Sequence, residues 1–70
     1  MMPLSMVNVG EKRSIQRITG KDDVRRFLEN LGFVEGSSVT VVSENGGNLI
    51  VNVKDTRVAI DRSMANRIMV

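Results

Sequence analysis

Ser38-Val39-Thr40-Val41-Val42-Ser43-Glu44-Asn45-Gly46-Gly47-Asn48-Leu49-Ile50-Val51-Asn52-Val53 is the stretch that decides the fold. Ser38 to Val42 is rich in β-branched residues, which suit a pleated, half-buried surface. Glu44-Asn45-Gly46-Gly47 is a hairpin signal, because Asn-Gly accepts the positive φ of a type I′ turn. Asn48 to Val53 then alternates, with Leu49, Val51 and Val53 on one face and Asn48, Ile50 and Asn52 on the other. Two antiparallel strands follow from this stretch alone.

Working toward the C-terminus, Lys54-Asp55-Thr56 turns the chain and Arg57-Val58-Ala59-Ile60 reads as a third strand of a meander. Asp61 is a natural N-cap for one helical turn through Arg62-Ser63-Met64-Ala65-Asn66. Arg67-Ile68-Met69-Val70 is a last short strand. Its pairing with the first strand would close the sheet and remove exposed edges.

Working toward the N-terminus, Glu35-Gly36 marks a tight turn after Phe33-Val34. Before it, Val24, Phe27, Leu28 and Leu31 fall at helical spacing, with Arg25, Arg26, Glu29 and Asn30 mainly on the other side. Thr19 or its neighbour is expected to cap this helix of roughly ten residues. Asp22 and Asp23 suit its positive end, and Gly32 suits its left-handed stop. Residues 12–18 carry Ile15 and Ile18, whose spacing of three predicts a strand with a bulge or bend. Ser5 and Gly10 suit the start and end of a brief turn over residues 4–10.

The sum is a mainly β chain of about five strands. One α-helix lies between the first and second strands and a one-turn helix precedes the last. Short strands at close spacing with turn signals point to a small barrel. Seventy residues, with no linker or repeat, are expected to form a single domain, 1–70. With no Cys and no His, disulfides and Cys/His zinc sites are excluded as staples, and apolar packing must hold the fold. Cys absence fits a reducing cytosol.

The ten basic and eight acidic residues, +2 in all, are spread evenly, each half of the chain carrying +1. No basic block marks a nucleic-acid interface. Phe27 and Phe33 are the only aromatics, too few for base-stacking platforms or a proline-peptide groove. Met1-Met2-Pro3-Leu4-Ser5-Met6 has no features of a signal peptide. Apolar runs stop at three residues, as in Leu49-Ile50-Val51, against the ~20 a spanning helix needs. A membrane role is therefore expected only through a partner.

Leu4-Ser5 ahead of Gly10-Glu11, and Ile15 and Ile18 ahead of Gly20, begin a longer pattern. It continues through Arg26-Phe27-Leu28-Glu29-Asn30-Leu31-Gly32-Phe33-Val34-Glu35-Gly36-Ser37. It ends with Val58-Ala59-Ile60, Ala65 and Ile68-Met69-Val70. In this order and spacing, over residues 4–70, the chain resembles the FeoA family of small ferrous-iron-transport proteins. Glu35 stands where that family often has Pro, which loosens the turn. The resemblance implies an SH3-like barrel, a cytoplasmic location, and docking on the cytoplasmic region of the GTP-binding iron permease FeoB. The same module resembles the C-terminal domain of metal-dependent repressors, an alternative reading. A nucleic-acid-binding small barrel is a second alternative, resting on fold-level analogy.

No catalytic constellation stands out. Asp22 and Asp23 have a helix-start explanation, Asp55 a turn explanation and Asp61 a cap explanation. Gly20-Lys21 falls short of a phosphate loop. Ferrous iron favours imidazole and carboxylate, and the carboxylates here lack ligand spacing, so neither metal nor cofactor is expected. Five methionines read as gap-filling, or as a contact where the chain ends meet. The candidate partner-binding residues are Arg25, Arg26, Phe27, Phe33 and Val34. The two phenylalanines serve either core packing or an apolar anchor, and the arginines serve as rim charges that steer docking.

Overall fold

The computed structural model describes all residues, 1–70. A short 3-10 helix, Leu4–Met6, precedes six strands and two α-helices. The strands are β1 (Lys12–Ser14), β2 (Arg17–Ile18), β3 (Ser38–Asn45), β4 (Asn48–Val53), β5 (Thr56–Asp61) and β6 (Ile68–Met69). The helices are α1 (Asp22–Asn30), between β2 and β3, and α2 (Arg62–Ala65), before β6. A four-stranded sheet runs in the order β1-β3-β4-β5, and a small one joins β2 to β6. All pairs are antiparallel.

The central hairpin forms as its alternation requires. Val41 pairs with Val51 and Val39 with Val53, all four buried, and Leu49 pairs with Ile60 on the same face. Its turn is Gly46-Gly47 rather than Asn45-Gly46: Asn45 pairs with Asn48, and both glycines carry positive φ. The register shifts between Val41 and Ser43, so Val42 is the bulged residue and later side chains of β3 change face.

The expected single strand over 12–18 is two, which makes six strands where about five were expected. Ile15 still extends the β1–β3 ladder, with its N–H donating to Ser37 O and its carbonyl accepting from Gly36 N. The next residue, Gln16, donates to Met69 O in the other sheet. The chain changes sheets there, and the bend buries both Ile15 and Ile18 in spite of their odd spacing. The terminal strand does pair back: Ile18 opposes Ile68 and Arg17 opposes Met69. On the far side of β6, Met2 and Val70 exchange backbone hydrogen bonds at 2.8 Å each, and Pro3 bridges Met69.

α1 ends in a Schellman motif. The Phe33 N–H donates to Leu28 O at 3.0 Å and the Gly32 N–H to Glu29 O at 2.9 Å, with Gly32 at φ 109°. Leu28 and Phe33, the two residues this motif brings together, are both fully buried. At the other end Lys21, not Thr19, occupies the N-cap position, with no side-chain cap. The Thr19 hydroxyl instead donates to Arg67 O, tying β2 to β6. The N-terminal turn likewise starts at Pro3 rather than Ser5, whose hydroxyl reaches Asn66 Oδ1. Asp61 caps α2 as its sequence position implies, accepting from Met64 N at 2.8 Å.

One core of 15 buried apolar residues lies between the sheets and α1, with Met2, Val24, Leu31, Val58 and Met64 packed against it. Met2 and Met64 thus act as fillers, whereas Met1 and Met6 are exposed. No helix is long and apolar enough to cross a membrane.

Candidate functional site

The candidate residues cluster on α1 and the loop after it, and the helix geometry sorts them. At about 100° per residue, Leu28 points to the core and Phe27 to the edge of the apolar stripe. Phe27 is accordingly 51% exposed, while Phe33 is 0% exposed. Phe33 is therefore removed from the contact set: it is the largest fully buried side chain. Its conformation follows from the Schellman turn, which folds the residue after Gly32 back under the helix.

Arg26 faces outward, and Arg25 and Phe27 flank it on opposite sides of α1. Asp22 with Arg26 and Arg25 with Glu29 stand at i, i+4, a spacing that allows ion pairs, but neither pair forms. Arg25 Nη1 instead lies 3.8 Å from Asp22 Oδ1, one residue closer in sequence, in an exposed pair. Such a pair contributes little, on the order of a few tenths of a kcal/mol. Arg26 makes no ion pair, leaving its guanidinium free for a partner.

Val34 is half-buried and lies beside Arg25. Together with Ile18, Glu29 and Glu35 they line a shallow groove of about 230 Å³. Ile18, Glu29 and Glu35 were absent from the expected set. Glu29 was within reach of sequence reasoning, because it stands four residues after Arg25. Ile18 and Glu35 were not, because only the fold brings β2 and the turn at Gly36 to the same side of α1. That turn closes with the Ser37 N–H on Val34 O at 3.1 Å, and Gly36 takes the positive φ that a type II turn needs at its third position.

The surface thus offers one half-exposed aromatic ring, two arginines and a small groove with both charge signs. The Asp22 and Asp23 carboxylates lie exposed at a helix start, and no three Asp, Glu, His or Cys side chains gather as metal ligands.

Comparison with known proteins locates this architecture. The family model described as the FeoA domain matches residues 2–70. The Fe(2+) transport protein A assigned in Methanocaldococcus jannaschii is 30% identical over 70 residues, which is 100% of this chain and 85% of that one. Among solved structures, an iron uptake regulatory protein (FeoA) superposes with a TM-score of 0.90 at 29% identity, covering 97% of this chain and 92% of the other. Stenotrophomonas maltophilia FeoA, described as a prokaryotic SH3 domain protein complexed with zinc, superposes with a TM-score of 0.74 at 33% identity, covering 99% and 88%. Zinc is that protein's ligand, and the present chain has no His, no Cys and no carboxylate cluster to match it. The barrel is SH3-like, and the chain belongs to the FeoA family.

Proposed function

We propose that this chain is a non-catalytic docking module that regulates ferrous iron uptake by binding the cytoplasmic region of a FeoB-type permease. The family places the chain in ferrous iron transport, and one relative is described as an iron uptake regulatory protein. The observation that carries the docking reading is the outward half of α1. Phe27 is left half-exposed at its edge while the chain's other aromatic ring is fully buried. An exposed aromatic beside free arginine is the composition of an interface anchor with a charged rim.

A partner that covers the outward half of α1 touches Arg26 at the centre and Phe27 and Arg25 at the flanks. Val34 and Glu35 extend the contact along the groove. In this reading the arginines steer encounter and the ring supplies the tightest contact. The location is then the cytoplasm, and the membrane is reached only through the permease.

The test is an amide NMR titration, with calorimetry, of the protein against the permease's soluble cytoplasmic domain under reducing conditions. Shifts are expected on α1 and residues 33–36. Phe27→Ala should weaken binding by roughly tenfold or more, as loss of an anchor does. Arg25→Glu with Arg26→Glu should weaken it chiefly through slower association. No binding to any permease segment would remove the reading.

A further inference from the structure

We infer that the outer face of the four-stranded sheet is a second docking surface, built for an extended acidic polypeptide segment of a partner. It lies on different residues from α1 and goes beyond the reading above. Strand register creates it. Lys12 pairs with Thr40, Thr40 with Asn52, and Asn52 with Arg57, so one row of side chains crosses all four strands on the face turned away from the core. The same face carries Ser38, and Lys54 follows β4 at the turn. These residues, with Ser37 and Asp55, line an open groove of about 640 Å³ that contains no apolar residue.

The charge in this groove is unsatisfied. Lys12, Lys54 and Arg57 form no ion pair, while Arg13, Arg25 and Arg62 elsewhere do. Arg57 Nε donates only to Asn52 Oδ1, at 3.4 Å. Asp55 is the single acid of the lining and sits at the turn end. Three free cations from positions 12, 54 and 57 line one groove, although the linear sequence spreads charge evenly.

The geometry selects the ligand class. Lys12 and Arg57 stand at opposite ends of the row, three strand spacings or about 14 Å apart. A ligand that pairs with each cation along the row must carry several anionic groups spread over that length. Between them Thr40, Asn52 and Ser38 each donate and accept hydrogen bonds, which suits amide and carboxylate groups along a chain. With no aromatic or apolar lining, a nucleobase finds no stacking surface. A membrane surface is a poor fit to a groove with no apolar lining residue, because interfacial binding needs buried apolar area. An extended segment rich in Asp and Glu meets every feature.

The experiment titrates a fluorescent poly-glutamate peptide into the full chain, followed by anisotropy. Parallel arms use inorganic phosphate, single-stranded DNA and phosphatidylglycerol vesicles. Saturable binding is expected for the peptide, falling steeply between about 0.1 M and about 1 M salt as the Debye length shrinks from about 10 Å to about 3 Å. Neutralising all three cations (Lys12→Gln, Lys54→Gln, Arg57→Gln) should cost roughly tenfold or more. The charge-neutral α1 variant Phe27→Ala should bind the peptide as the wild type does, which separates this surface from the α1 reading. If the triple variant does not fold, the exposed single variants Lys12→Gln and Arg57→Gln should each still weaken binding by about two- to threefold. Absent binding at low salt, binding indifferent to these substitutions, or tighter binding of phosphate, DNA or vesicles would each overturn the inference. So would self-association that the same substitutions abolish, since the occupant would then be a second copy.

Discussion

The two sheets of this barrel are assembled by opposite routes. In the four-stranded sheet, β3 meets β4 across Gly46-Gly47 and β4 meets β5 across Lys54-Asp55. In the small sheet, Ile18 meets Ile68 across 68 − 18 = 50 positions, and Met2 joins from the other end of the chain. Loop closure costs little for a two-residue turn and more for a long one. The β3-β4-β5 meander of the large sheet can therefore form from neighbours, whereas β1 and the small sheet must be held by what they bury. The two candidate docking surfaces divide the same way, since Ile18 of the small sheet borders the α1 groove and the large sheet carries the basic face.

The largest effect is expected where that dependence is greatest. Ile68 is fully buried in a strand of only two residues. Ile68→Ala should destabilise the protein by about 2–5 kcal/mol in urea unfolding. In the wild type, amides of the small sheet such as Gln16 and Thr19 should exchange before that of Val41, because local openings start where backbone pairing is sparsest. A cost for Ile68→Ala below about 1 kcal/mol, or equal protection in both sheets, would break the comparison. Partner binding at α1 should raise protection in the small sheet first.

This division also explains what the sequence disclosed. The central hairpin, the Gly32 stop and the Asp61 cap were legible because each is set by residues a few positions apart. The split of residues 12–18 was not, because the acceptor that draws Gln16 away is Met69 O. Thr19 looked like a cap on the same local grounds, and its hydroxyl was claimed by Arg67 O from the far end of the chain. At the candidate site, helical spacing placed Phe27 and Leu28 on one stripe. Which of the two the core would take depended on the tilt of α1 against strands distant in sequence. The alignment of Lys12 and Arg57 on one row needed three strand registers, one of them containing a bulge.

Within the large sheet the two hairpin turns sharpen the contrast further. Gly46 and Gly47 sit at φ 57° and 88°, and Lys54 and Asp55 sit at 49° and 61° without being glycine. Gly47→Ala should cost about 1–2 kcal/mol, the strain of an L-residue in the left-handed region. Lys54→Gly should be within about 0.5 kcal/mol of neutral, as relief of strain offsets added freedom in the unfolded chain. Chemical denaturation of both variants reads the difference. A neutral Gly47→Ala would mean that the central turn is not what sets the register.

Asp61 stands where the chain leaves the large sheet for the small one. Its carboxylate accepts from Met64 N and starts the turn that aims β6 at β2. Asp61→Ala should cost about 1 kcal/mol, within the usual range for an N-cap. The loss should appear as faster exchange at Ile68 and Met69 rather than in β3 or β4. Uniform loss across both sheets would show that α2 is not a separate link.

The smallest effect lies where the chain enters the large sheet. The Glu11 carboxylate accepts from Arg13 Nε at 3.0 Å and from Asn8 N at 3.3 Å. The hydrogen bond from Arg13 is the main cause that holds its pKa below the ordinary value of 4.5, with the Asn8 N–H next. A carboxylate whose folded pKa is depressed adds stability that is fully present above the unfolded pKa. That stability is lost as pH falls through the folded pKa, so the window lies in the acid range below 4.5. A side-chain NMR titration should place the Glu11 midpoint below 4.5 in the wild type and move it back up in Arg13→Ala. Because the pair is exposed, the midpoint should also rise with added salt. An unchanged midpoint in Arg13→Ala would assign the shift to the Asn8 N–H, and so to the shape of the turn before β1 rather than to the pairing of charges along it.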